Sequence, residues 1–278
     1  MKTILIFFCT FFSFPGFSQY YYQDIIGTNE TTATIEVYLR NKVSRVQLTS
    51  FEANGMKSED LVVEQIYNPR NQTLQTTTRS GSSDVSVLTS FIDKNGKVIK
   101  TVDSSASLIS TTAYNYNANG KLISVVNEST DPKKTVQVRE EHLWEYESDQ
   151  LKSMIRVKNR KDSSFISFKT DDAGNIIDEQ ATRNGIKSDP VLYYYDANNN
   201  LTDIVRFNTK AKRLLPEYMF EYSPAGQLIQ KITVPANSSN YLIWRYQYDI
   251  NGLKTKEAIF NKDKKLTGRI DYQYVYNR

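Results

Sequence analysis

The 278-residue chain contains one imidazole, His142, and one thiol, Cys9. Nucleophilic chemistry of the Ser-His-Asp or Cys-His kind therefore has a single candidate base. A metal centre built on several His or Cys ligands is excluded. His142 lies in the run Glu140-Glu141-His142-Leu143-Trp144-Glu145-Tyr146. Strand alternation sends Glu140, His142, Trp144 and Tyr146 to one face, where a carboxylate and an imidazole beside an indole make a polar pocket. The reading adopted is a paired, half-buried polar patch, because no nucleophile or second acid can be assigned. No catalytic residue and no cofactor is expected, and the chain reads as a non-enzyme.

Asp196-x-Asn198-x-Asn200 has the opening of a calcium loop. Leu201 stands where the sharp-turn Gly belongs and Phe207 where a bidentate Glu is needed, so turn chemistry explains these residues and no metal is expected. Aromatic rings off the main parity, Tyr194, Tyr241 and the cluster Tyr20-Tyr21-Tyr22, are the candidates for stacking on sugar rings. Lys210, Lys212 and Arg213 read as a short solvated hairpin end.

These residues must be placed by a fold, and composition limits which. Lys and Arg number 35 against 31 Asp and Glu, a net charge of +4. The balance is too mild and too scattered for a nucleic-acid footprint. Aromatics reach 12%, with Tyr alone at 19 residues, far above what a disordered chain carries. Lys2, the apolar run from Ile4 to Phe17 and the Gly16-Phe17-Ser18 step describe a secretory signal peptide, residues 1–18, cleaved before Gln19. The expected address is secreted or periplasmic, with a cell-surface association, and an envelope protein or a glycan as partner. No transmembrane segment is expected after cleavage.

A repeat organises the rest, aromatic-x-aromatic-Asp/Asn-x-x-Gly-x-Leu. Its clearest copies are Tyr114-x-Tyr116-Asn117-x-x-Gly120-x-Leu122, Tyr193-x-Tyr195-Asp196-x-x-Asn199-x-Leu201 and Phe220-x-Tyr222-Ser223-x-x-Gly226-x-Leu228. Phe168 to Ile176, Tyr246 to Gly252 and Trp144 to Leu151 are variants; Ile92 to Val98 and Phe51 to Gly55 are degenerate. Positions 174, 199, 226 and 252 follow one another at 25, 27 and 26 residues. Asp, Asn or Ser opens a type I turn, and the residue three further on takes a left-handed conformation that Gly or Asn tolerates. Gly96, Gly120, Gly174, Asn199, Gly226 and Gly252 are therefore structural turn residues at hairpin tips. Asn184-Gly185 and the region of Gly268 read as tips at the other end.

Strands entering the tips alternate strictly, as in Leu242-x-Trp244-x-Tyr246-x-Tyr248, while those leaving alternate poorly. Helical spacing is absent over any long stretch. The fold class expected is all-β, an antiparallel meander of hairpin repeats of period about 26 curling into a single spiral or barrel-like sheet. Residues 19–85 form a degenerate N-terminal β region and 86–278 the hairpin repeats, continuous with it. An outer-membrane barrel, which needs an outward apolar band, falls behind this reading because outward positions carry Lys, Glu, Arg and Gln.

The repeat resembles the YD repeats of bacterial Rhs-type proteins and teneurins, strongest from Tyr114 to Gly252. That resemblance implies a β-sheet shell and, in a cell, a shell fragment accompanying a toxin. The Arg that commonly follows the turn Gly in that family is replaced here by Lys121, Asn175, Asn200 and Gln227. Neither a self-cleaving core motif nor a C-terminal toxin region is found, and the length does not suit a cocoon. Asn95-Gly96-Lys97 and Asn119-Gly120-Lys121 also resemble MORN-type hairpin repeats. The functional expectation is a binding or scaffolding protein of the cell envelope; the alternatives are a glycan-active enzyme using acidic residues and a shell fragment accompanying a toxin.

Overall fold

A computed structural model describes residues 20–81, 84–235 and 238–277; the expected signal peptide lies outside them. One helix, α1 (Gln23–Arg40), precedes β1 (Val43–Glu52), β2 (Lys57–Asn68), β3 (Thr73–Ser80), β4 (Asp84–Ile92), β5 (Val98–Ser104) and β6 (Ile109–Tyr116). Then come β7 (Leu122–Thr130), β8 (Gln137–Glu147), β9 (Gln150–Lys158), β10 (Asp162–Thr170), β11 (Ile176–Arg183) and β12 (Ile186–Lys187). The series ends with β13 (Val191–Tyr195), β14 (Leu201–Asn208), β15 (Arg213–Tyr222), β16 (Leu228–Thr233), β17 (Leu242–Tyr248), β18 (Lys254–Asn261) and β19 (Leu266–Tyr276).

Each strand pairs antiparallel with the next, except that β12 is a two-residue spur on β11, which pairs onward with β13. β1 pairs with both β2 and β19, with Leu48 opposite Tyr272 on one side and Val63 on the other. The other eighteen strands thus close into a barrel. The meander was legible; the spiral was not the form it takes, because closure leaves no edge strand unpaired.

The turn chemistry explains both the regular and the irregular strands. At the tip after β6, Asn117 Oδ1 accepts from the backbone N–H of Asn119 (3.0 Å) and Lys121 (2.9 Å), and Gly120 has φ +74°. Asp93, Asp171, Asp196 and Asp249 do the same at their tips. Asn199 takes φ 61° where its neighbours have Gly. After each tip the register slips, so that Tyr116 faces Leu122 while Asn115 faces Ser124. The same bulge recurs at Tyr195, Tyr222 and Tyr248. The departing strand therefore runs in-out-out-in, as in Leu122, Ile123, Ser124, Val125, which is why it alternates poorly.

The second aromatic of each motif staples neighbouring hairpins. Tyr116, Tyr146, Tyr195, Tyr222, Tyr248 and Tyr274 donate their hydroxyls to the carbonyls of Val98, Leu122, Ile176, Leu201, Leu228 and Lys254, at 2.7–3.0 Å. Each acceptor is the first residue of the strand leaving the previous tip. A ring that is apolar in body and polar at its end suits this position, buried against the sheet yet needing one acceptor.

All of these tips lie on one rim of the barrel, the motif rim. Two early assignments are corrected. Gly55 closes a turn of the same kind, with φ +82°, but on the opposite rim, because β1 runs away from the motif rim. Gly268 is no tip: it lies within β19 facing Glu52 and Ile259. The Asn184-Gly185 tip is on the opposite rim, with φ 50° and 77°.

The largest departure is α1, which opens the region expected to be β structure. Helical periodicity is hard to read because the buried face of the helix, Asp24, Thr28, Ile35 and Tyr38, mixes polar with apolar residues, while Asn29, Glu30, Ala33, Thr34 and Glu36 are exposed on the other. Its Ile35 is fully buried, and Asp24, Thr28 and Tyr38 are buried too. Its threonines turn their hydroxyls back on the helix: Thr28, Thr31 and Thr34 donate to the carbonyls of Asp24, Gly27 and Glu30 at 2.8–2.9 Å. Tyr22 is a poor helix cap. Its role is taken by Glu179 of β11, whose carboxylate accepts from the backbone N–H of Tyr21 (2.8 Å) and Tyr22 (2.9 Å). At the other end Asn41 and Arg40 reach the Asn251 carbonyl on the motif rim.

Candidate functional site

The lumenal face of β8 carries Glu140, His142, Trp144 and Tyr146, as alternation requires. Glu140 and His142 belong to a chain of ion pairs whose first member is supplied by α1. His142 Nδ1 lies 2.5 Å from Asp24 Oδ2, and Nε2 lies 3.1 Å from Glu140 Oε1. Arg156 of β9 grips Glu140 with two hydrogen bonds, Nε to Oε1 at 3.0 Å and Nη2 to Oε2 at 2.7 Å. Its Nη1 is 3.9 Å from Asp162, which accepts from Arg183 Nη2 at 2.8 Å.

Burial disfavours the charged imidazole, but Asp24 and Glu140 outweigh it and raise the His142 pKa to about 9. Burial likewise works against the Glu140 carboxylate, and the hydrogen bonds from His142 and Arg156 outweigh it, lowering its pKa to about 2. His142 is thus an imidazolium at neutral pH, with both nitrogens donating and no lone pair to take a proton. Of the residues expected to share a polar pocket, Glu140 and His142 are brought together, and Asp24 of α1 fills the space beside them. Trp144 stands apart, buried and stacked on Phe168 with ring centroids 5.6 Å apart.

Two further carboxylates are buried, and the first of them caps the helix. Glu179 also accepts from the Tyr193 hydroxyl at 2.8 Å, and its pKa is raised by burial. Glu257 accepts from Tyr272 (2.6 Å) and from Lys254 (2.7 Å). The Tyr20-Tyr21-Tyr22 cluster, expected as exposed rings, lies in the lumen instead. Tyr20 packs edge-on against Tyr193 and Tyr218, Tyr21 against His142, and Tyr22 against Tyr193. Nothing in the local sequence marks Asp24 as the partner of His142, since 118 residues separate them.

Tyr194 projects from the outer wall, about half exposed. Tyr241, whose hydroxyl meets the Lys262 carbonyl at 3.3 Å, borders a shallow outer depression of about 410 Å³ with Met219, Ile232, Ile243 and Arg245. The two rings are not brought together. In the Asp196 turn both carboxylate oxygens are engaged by Asn198 and Asn200. The outer wall mixes ion pairs with exposed apolar side chains: Arg45 pairs with Glu64 at 3.5 Å, Lys169 with Asp178 at 2.9 Å and Arg269 with Asp271 at 3.0 Å, while Leu143, Ile155 and Phe165 lie side by side on neighbouring strands, exposed.

No family model matches the chain, and no curated protein matches it. Among solved structures it is similar to a porin-like protein from Bacteroides uniformis ATCC 8492, at 11% identity and TM-score 0.37 over 84% of this chain and 98% of that one. A porin-like protein from Bacteroides vulgatus ATCC 8482 gives 12% identity and TM-score 0.29, over 84% and 99%. The Photorhabdus luminescens Tc holotoxin pore gives 14% identity and TM-score 0.31, over 80% of this chain and 14% of that one. Likeness at this level carries nothing about activity.

Proposed function

We propose that this chain is an exported, non-catalytic β-barrel of the cell envelope, a degenerate relative of YD-repeat shell proteins, that binds or scaffolds through its outer surface. One observation carries the reading: the lumen, where a chamber for substrate or passage would lie, is occupied by the chain's own helix, latched by Asp24 on His142. An imidazolium held between two carboxylates supplies no general base, and eighteen strands around a helix supply a stiff scaffold. Export rests on residues 1–18, and the mature protein starts at Gln19. Tyr194 and Tyr241 are the rings offered to a glycan.

The test uses the exported protein. Its N-terminus is sequenced, and the material is applied in parallel to a glycan array and to turnover assays with the same glycans. Retention without product release, reduced severalfold by Tyr194→Ala or Tyr241→Ala, supports the reading. Steady product release abolished by His142→Gln in a variant that still folds overturns it, as does exported protein that retains Met1.

A further inference from the structure

The period of the repeat places every second turn on the rim opposite the motif rim, and there the charge is not scattered. The turn between β7 and β8 carries Lys133 and Lys134, that between β9 and β10 Arg160 and Lys161, and β12 ends on Lys187. Lys212 follows between β14 and β15, with Arg213 opening β15, then Lys264 and Lys265 between β18 and β19. All are exposed, and none takes part in an intramolecular ion pair among the described residues. The acids in the same turns are Asp131, Asp189 and Asp263, and Asp131 is engaged by the Val136 N–H and the Thr135 hydroxyl.

Two further observations give this crown a direction. Lys134, Arg160, Lys212 and Lys264 all adopt left-handed backbone, with φ 57°, 58°, 51° and 59°. Gly fills the left-handed position at five of the motif-rim tips and is the residue of lowest cost there. A cation kept repeatedly at a position that disfavours a side chain points to the charge itself as the reason. Beside the cations stand bare aliphatic side chains: Ile186 is 75% exposed, Val136 60%, and Leu214 and Leu266 are exposed as well. Aliphatic tips among cations match the boundary between headgroups and acyl chains; a single-stranded nucleic acid would call for aromatic stacking platforms.

We infer that the rim opposite the motif tips docks peripherally on an anionic lipid surface, its Lys and Arg turns on the headgroups and Ile186, Val136, Leu214 and Leu266 in the interface. The inference takes only the envelope address from the function proposed above and is independent of glycan binding and of catalysis.

The test is co-sedimentation of the full exported protein with vesicles of phosphatidylcholine alone and of equimolar phosphatidylcholine and phosphatidylglycerol. Binding to the anionic vesicles alone, released by high salt, is expected. A variant with Lys134→Gly, Arg160→Gly, Lys212→Gly and Lys264→Gly relieves four left-handed side chains, so its Tm stays level or rises while vesicle binding falls more than about tenfold. Ile186→Ser with Val136→Ser weakens binding severalfold at unchanged salt dependence. Equal binding to neutral vesicles, no vesicle binding, or undiminished binding by the four-glycine variant overturns the inference. Capture by soluble polyphosphate without vesicle binding also overturns it, in favour of a soluble polyanion. Glycan retention that survives any of these outcomes leaves the binding-scaffold reading standing.

Discussion

Raising the pH should release α1 from the barrel wall, and His142 sets where. Its pKa is about 9 in the folded protein, against about 6.5 for a free imidazole. A gap of roughly 2.5 units at about 1.4 kcal/mol each corresponds to about 3 kcal/mol of stability carried by the charged form. Because the folded value is raised, that stability is complete below the unfolded pKa and is lost as pH climbs through about 9. Glu140 acts in the opposite sense: lowered to about 2, it contributes above its ordinary 4.5 and loses that contribution as pH falls toward 2. The plateau therefore lies between about 4.5 and 6.5, and the neutral-to-alkaline decline belongs to His142. Facing it are Asp24 and Tyr21 from the helix side, Glu140 on β8, and Arg156 on β9 beyond Glu140. Tyr21 and Arg156 have raised pKa values and keep their protonated forms across this window.

Denaturant melts at pH 6 and pH 9.5, followed by the fluorescence of Trp144 two residues along β8, read the effect directly. Wild type should lose about 2–3 kcal/mol between the two. His142→Gln should cost about 3–5 kcal/mol at pH 6, because it leaves two lumenal carboxylates facing each other, Asp24 without its cation and Glu140 with Arg156 alone. It should also flatten the pH dependence. Adding Asp24→Asn to that variant should recover part of the loss, since it removes one of the stranded charges. Equal wild-type stability at the two pH values, or an unchanged slope without His142, would refute the latch.

Two other substitution series test the frame. Tyr195→Phe removes one hydroxyl-to-carbonyl staple and should cost about 1 kcal/mol in a denaturant melt; the triple change with Tyr222→Phe and Tyr248→Phe should cost about 3. Gly226→Val places a β-branched residue at φ +76° and should cost more than about 1 kcal/mol, whereas Asn199→Gly should be neutral or mildly stabilising.

The sequence was legible where structure is made by local chemistry. Six turn residues from Gly96 to Gly252 could be placed because an Asp or Asn side chain and a left-handed residue solve the turn within five positions. The same localism explains the failures. Gly55 closes an equivalent turn, and nothing within it states on which rim it falls. The true motif-rim loop of that hairpin ends at Gln72, φ 52°, where no Gly flags it. α1 was invisible for a different reason: a helix with Ile25, Ile26, Ile35 and Val37 among its threonines has poor intrinsic propensity, and its buried face includes Asp24 and Thr28, so it shows no apolar stripe. Glu140 and His142 were placed on one face by alternation alone. Their partner Asp24 comes from the one element that the strand pattern could not reveal.

The barrel also shows why net charge misleads for a repeat protein. A value of +4 over 278 residues suggests a surface without polarity. Two strands and two turns make one period, so residues half a period apart sit at opposite ends of a strand, roughly 30 Å away for nine residues at about 3.3 Å each. Asp171, Asp196 and Asp249 begin turns on the motif rim, while Lys134, Arg160, Lys212 and Lys264 occupy turns on the other. At physiological ionic strength, with a screening length of about 8 Å, the two rims present separate fields to anything approaching them. Lys210, Lys212 and Arg213 look like one short patch along the chain, yet the meander sets them on the rim that also carries Arg160, Lys187 and Lys264. Turn chemistry fixes which residues sit at a tip, and the alternation of rims, a property of the meander as a whole, turns a scattered charge into a directed one.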